Sequence, residues 1–147
     1  MATATLTPVP QIVVDRVERA PRGVMGWLTT TDHKRIGILY MVTTFVFFFL
    51  GGAEALMMRL QLSVANNNLV TPEVYNQLFT MHGTTMVFLF VVPMMAGIGN
   101  YLVPLMIGAR DVAFPRLNAL SYWLFLAGGL VFYASIFWNP PEAGWIA

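Results

Sequence analysis

Long apolar stretches broken by short clusters of charge dominate the chain. Residues 74–109 and 117–141 contain no Lys, Arg, Asp or Glu, and each run exceeds the ~20 residues that cross a bilayer as a helix. A further stretch precedes them. Thr31 and Asp32, followed by Lys34 and Arg35, mark a helix start at a membrane surface, with Asp32 as N-cap or first-turn acid. The span predicted behind them runs over about residues 36–58. After Arg59, the polar group Asn66, Asn67, Asn68, Thr71 and Pro72 cannot stay helical in lipid and belongs at an interface. Pro72 suits a first helical turn, so a second span is predicted over about 74–101, through Pro93 and a Gly97/Gly99 pair that would bend or thin it. The segment Pro104 to Pro115 has proline at each end and carries Arg110 and Asp111, which reads as a loop or short interfacial turn. A third span follows over about 118–138. The predicted fold class is therefore an all-α membrane protein with three transmembrane helices. Small residues at Gly51-Gly52-Ala53, Gly97/Gly99 and Gly128-Gly129 permit close helix approach, which makes the spans part of a larger helical bundle.

Composition agrees: 57% of the residues are hydrophobic and 10% charged, against ~45–50% and ~25% in soluble domains. A net charge of +1 leaves no basic face for nucleic acid. Residues 1–30 read as an N-terminal tail, of which 1 to about 24 are polar, carry Pro8, Pro10 and Pro21, lack a signal-peptide core and are expected to be mostly extended or disordered. Arg16, Arg19, Arg22, Lys34 and Arg35 before the first span, and Arg110 and Arg116 in the second connection, outnumber the lone Arg59 of the first. This bias predicts a cytoplasmic N-terminus. Tyr101, Tyr122, Trp123, Trp138 and Trp145 fall near span ends, as anchors or packing residues. The absence of Cys excludes disulfides, zinc knuckles and thioether-linked haem. Two histidines, His33 and His82, are too few for a self-contained metal site of three or four ligands.

The scarce polar groups inside the spans carry the candidate chemistry. His82 lies roughly 12 Å into the second helix at about 1.5 Å per residue. It is either a neutral His satisfied by a hydroxyl such as Thr80 or Thr84, or an axial ligand to haem iron, with Gly83 leaving room for a flat macrocycle. In the second case another helix supplies the opposite ligand. Arg59 is either a snorkelling anchor or a guanidinium that bonds a cofactor carbonyl or carboxylate. Glu54 points about 140° away from Arg59 around the helix, so an intrahelical ion pair does not account for it; it is protonated or paired with a helix outside this chain. Asp111 either pairs with Arg110 or Arg116, or opens a proton path in which amides and hydroxyls such as Asn118 and Ser121 hold water.

Five stretches, TDHKRIGILY (31–40), GGAEALMMRLQL (51–62), YNQLFTMHG (75–83), GIGNYLVPL (97–105) and IGARDVAFPRLNALSYW (107–123), resemble subunit I of the haem–copper oxidases, most closely the cytochrome c oxidases. By that resemblance His82 matches an axial ligand of the low-spin haem, and Arg59 the Arg that bonds a haem substituent. Asp111 matches the entrance acid of the D proton channel, with Asn100 and Asn118 its amides and Tyr40 and Ser121 further lining positions. His33 matches a surface His near the channel mouth. The resemblance leaves Glu54 unassigned. Leu50 and Val74 stand where quinol oxidases have Arg and His, and Glu54 where they have Asp, so cytochrome c is the expected donor. Arg110 replaces a Pro of mitochondrial members, and Ala119 a second Asn.

The resemblance further implies four-electron reduction of O2 to water, coupled to proton uptake and pumping, in a bacterial plasma membrane. High-spin haem and copper belong to the complete subunit and have no ligands here, so the chain reads as an N-terminal portion of subunit I or a split subunit. Its partners are then the remaining subunit I helices, subunits II and III, and cytochrome c. The alternatives are a quinol oxidase subunit I fragment and a non-catalytic membrane scaffold or assembly fragment.

Overall fold

The structure, a computed structural model, describes residues 23–142. Pro8, Pro10, Pro21, Arg16, Arg19, Arg22 and Trp145, which figured in the expectations above, lie outside the described residues. Two units are distinguished, divided after Thr30. The described part of the first contains one short helix, α1 (Val24–Leu28), closed by the Thr29 N–H on the Met25 carbonyl.

The second unit contains three long helices: α2 (His33–Gln61), α3 (Pro72–Met106) and α4 (Pro115–Ala134), the last continued by a 3-10 turn, Ser135–Phe137. All three are long and apolar enough to cross a membrane, and the described residues contain no strand. Local chemistry sets their starts. The Asp32 carboxylate accepts the Lys34 N–H at 2.9 Å as the N-cap of α2. Thr71 caps α3 through the Val74 N–H, with Pro72 in the first turn where its missing N–H costs nothing. The Asn-rich connection between α2 and α3 satisfies itself: Asn67 Nδ2 donates to the Leu60 carbonyl at 2.8 Å, and Gln61 Oε1 accepts the Val70 N–H at 3.0 Å.

Two features of α3 depart from expectation. Ahead of Pro93 the helix does not simply bend; residues Thr85–Val91 widen into a π-helix, with the Val92 N–H on the Val87 carbonyl. A proline ring collides with the carbonyl one α-turn back, and a wider turn moves that carbonyl away. The second departure is that Pro104 lies inside the helix, buried, rather than opening a loop. α3 instead ends at Met106 with Gly108 at φ 69°, where the Ala109 N–H bonds the Pro104 carbonyl and the Gly108 N–H bonds the Leu105 carbonyl. This pair of bonds around a left-handed glycine is the usual way to satisfy a helix's last carbonyls.

α2 and α3 approach closely through glycine. A Cβ on Gly37 would stand 2.9 Å from the Gly97 carbonyl oxygen, and one on Gly97 would stand 2.8 Å from Tyr40 Cβ. Against α4 the contact is aromatic. Tyr40 stacks on Phe125 at 5.4 Å and meets Tyr122 edge-on at 5.2 Å, and Phe47 stacks on Tyr133 at 5.7 Å. Ile36, Tyr40 and Tyr122 form the buried core, with Leu39, Ala119, Phe125 and Leu126 around them. Within the spans only 33%, 17% and 11% of the most apolar window of α2, α3 and α4 is buried. The remaining apolar faces are open to lipid or to further helices.

Candidate functional site

One cluster lies where the middle of α2 meets the first part of α3. His82 Nδ1 is 2.9 Å from the Gly51 carbonyl oxygen. A carbonyl only accepts, so Nδ1 carries a proton and donates, and the tautomer with that proton alone keeps its lone pair on Nε2. The Nδ1 partner is thus a backbone carbonyl of α2. The approach depends on Gly51, since a Cβ there would already stand 3.1 Å from the Thr85 methyl. Beside the imidazole, a Cβ added at Gly83 would meet nothing within 4 Å, and the same holds at Gly52. An oriented imidazole with a basic Nε2 and clear space at the adjacent glycine is the donor chemistry that an axial haem ligand requires.

Around this pair lies a polar group not foreseen from sequence. Thr85, fully buried, meets the Tyr133 hydroxyl at 2.9 Å. Glu54 is 8% exposed, and its carboxyl faces the Tyr133 hydroxyl with His82 nearby; its Oε2 is buried without a partner. The neighbour of Glu54 is thus on α4 of this same chain. A spacing cue existed for Thr85, three residues after His82 on one helical face, but nothing local pointed to Tyr133. Arg59 stands exposed in the last turn of α2, roughly 12 Å along the axis from Gly51 at about 1.5 Å per residue. A cation there also offsets the helix C-terminal dipole.

The second cluster lies at the opposite ends of the helices. His33, expected at the surface, is 0% exposed, and its Nδ1 donates to the Asn100 carbonyl at 2.8 Å. The reason is Pro104. Four residues after Asn100 it has no N–H to give that carbonyl, and the imidazole of another helix supplies the missing donor. Tyr40, Ser121 and Asn118 form a string. Ser121 Oγ donates to the Asn118 carbonyl at 2.7 Å, so its oxygen accepts from the Tyr40 hydroxyl at 3.0 Å. Asn118 Nδ2 is buried without a partner. Asp111 sits half-buried in the loop between α3 and α4, and its Oδ1 accepts the Val112 N–H at 2.8 Å rather than pairing with Arg110 or Arg116, both exposed. The structure therefore joins Tyr40, Ser121 and Asn118 directly, brings Asn100 to His33 and leaves Asp111 in its own loop.

Residues 35–147 match the family described as cytochrome c and quinol oxidase polypeptide I. The chain is 54% identical to the cytochrome c oxidase subunit 1 of Synechocystis sp. over 78% of its length, and 50% identical to that of Bacillus subtilis over 87%. It is also 48% identical to the heme-copper oxidase subunit I+III of Aeropyrum pernix over 90% of its length. It spans 21%, 21% and 17% of those three proteins respectively.

Proposed function

The chain belongs to subunit I of the haem–copper oxidases, the cytochrome c and quinol oxidase polypeptide I family, and on that premise we propose that it forms the first three helices of the catalytic subunit of a terminal respiratory oxidase. The assembled enzyme reduces O2 to water with electrons from cytochrome c and couples this to proton uptake from the cytoplasmic side and pumping. Its partners are the remaining subunit I helices, which supply the other haem and copper ligands, together with subunits II and III. The N-terminus lies on the cytoplasmic side of a bacterial plasma membrane. The open apolar faces of α2, α3 and α4 support assembly into a larger bundle.

The observation that carries this reading is the His82 imidazole, held at Nδ1 by the Gly51 carbonyl beside open space at Gly83. A haem bound there supplies one-electron transfer toward the oxygen-reducing centre. His82 would hold it through the ring nitrogen opposite Nδ1, and the Nδ1–H bond to Gly51 fixes the tautomer and the ring plane. Arg59 would donate from its guanidinium to a polar substituent of that group. On the other side of the membrane Asp111 collects protons. Asn100, Asn118, Ser121 and Tyr40 line the path behind it, and the unpartnered Asn118 Nδ2 is a donor available to water in that path.

A reduced-minus-oxidised visible spectrum of the assembled oxidase tests the ligand assignment. His82→Ala is expected to abolish the low-spin haem band; a variant that keeps the band overturns the assignment.

A further inference from the structure

The two turns that aim the His82 imidazole meet at a single phenol on α4. One is the α3 turn from which His82 projects, where Thr85 follows three residues later at the start of the π segment. The other is the α2 turn that offers the Gly51 carbonyl, where Glu54 follows three residues later. The Tyr133 hydroxyl bonds Thr85 Oγ1 at 2.9 Å and faces the Glu54 carboxyl. Phe47 stacks on the Tyr133 ring at 5.7 Å and restricts it. Thr85 also touches the Gly51 turn, its methyl 3.1 Å from where a Gly51 Cβ would be.

We propose that Tyr133, with Thr85 and Glu54, is a positioning group that sets the orientation of the His82 ring and so the ligand field of the haem it holds. This rests on His82 being the axial ligand. The energetic argument is that a hydroxyl pair and a carboxyl in an apolar span are costly to bury. Apolar side chains of similar size would hold the helices together at least as well. What such side chains cannot do is bring two particular turns to one point through a directional hydroxyl bond on one side and a facing carboxyl on the other. A phenol both donates and accepts, so the one oxygen that bonds Thr85 can also act on the Glu54 carboxyl it faces. Ring orientation matters because hydrogen-bonded groups behind a ligating His tune the metal as well as hold it.

The test uses the assembled oxidase. Tyr133→Phe removes one oxygen and keeps the ring on Phe47. Low-spin haem content is expected to stay at the wild-type level, while the low-spin EPR g-values and the midpoint potential of that haem shift. Thr85→Val, which keeps shape and loses the hydroxyl, is expected to shift both in the same direction. The double variant should shift them no further than the larger single change, because both break one link. Should Tyr133→Phe lose its haem through misfolding, Thr85→Val and Glu54→Gln decide. Unchanged g-values and potential in the haem-loaded variants overturn the proposal while leaving His82 as ligand. Retention of the haem band in His82→Ala overturns instead the assignment beneath it.

Discussion

Pro104 and His33 each solve the other's deficit. The proline deprives the Asn100 carbonyl of its intrahelical donor, and the His33 Nδ1–H replaces it across 67 residues of sequence. Replacing His33 with Phe leaves that buried carbonyl unpaired, a loss of about 1–3 kcal/mol. Pro104→Ala restores an N–H at the right place, so the His33→Phe/Pro104→Ala double variant should recover part of the loss. Thermal unfolding of the detergent-solubilised assembly measures all three; strictly additive effects would dismiss the coupling. The pair also explains two misreadings at the sequence level. His33 reads as a surface residue by the rule that it lies where the family this chain resembles has a surface His, and Pro104 looks like a helix end because local rules make it one. Both rules fail for the same reason, a partner that only the packed helices bring near. His82 and Asp111 were legible as singular polar groups in apolar surroundings, whereas Tyr133 was one aromatic among many until α4 packed on α2.

Helix ends and helix interiors were not equally readable. The starts of α2 and α3 follow from Asp32 and from Thr71-Pro72, whose chemistry is local. The π segment has no comparable mark, since TMVFLFV is uniformly apolar and its widened turn belongs to the strain around Pro93 and to packing. Glycine divides similarly. Gly37 faces fixed backbone, the Gly97 oxygen at 2.9 Å and the Tyr101 nitrogen at 3.1 Å, so Gly37→Ala must part α2 from α3. The expected destabilisation is about 1–3 kcal/mol, as in other overpacked contacts, read from the same thermal unfolding. Gly83→Ala meets nothing in the chain and should leave its packing intact, yet it should lower low-spin haem content in the assembled oxidase. Equal haem content in the two variants would argue against a macrocycle beside Gly83.

Among the described residues of the second unit, the candidate site groups divide between two ends of the three helices, whose outer faces are apolar. His82, Thr85, Glu54 and Tyr133 serve one end; His33, Asn100, Asp111, Asn118 and Ser121 serve the other. Changing Asp111 to Asn should therefore slow turnover and abolish pumping while the haem spectrum stays that of wild type. Oxygen consumption, proton release from reconstituted vesicles and a visible spectrum measure these separately, and wild-type pumping would return Asp111 to a loop-bracing role through the Val112 N–H. The string of Tyr40, Ser121 and Asn118 behind it is already saturated in one direction, since the Tyr40 proton is given to Ser121 and the Ser121 proton to a carbonyl that has none to pass on. A row of hydroxyls ending on such an oxygen is a fence and not a wire. On the proposed path, then, a proton would have to hop through water alongside the row, whose part would be to keep that water in lane.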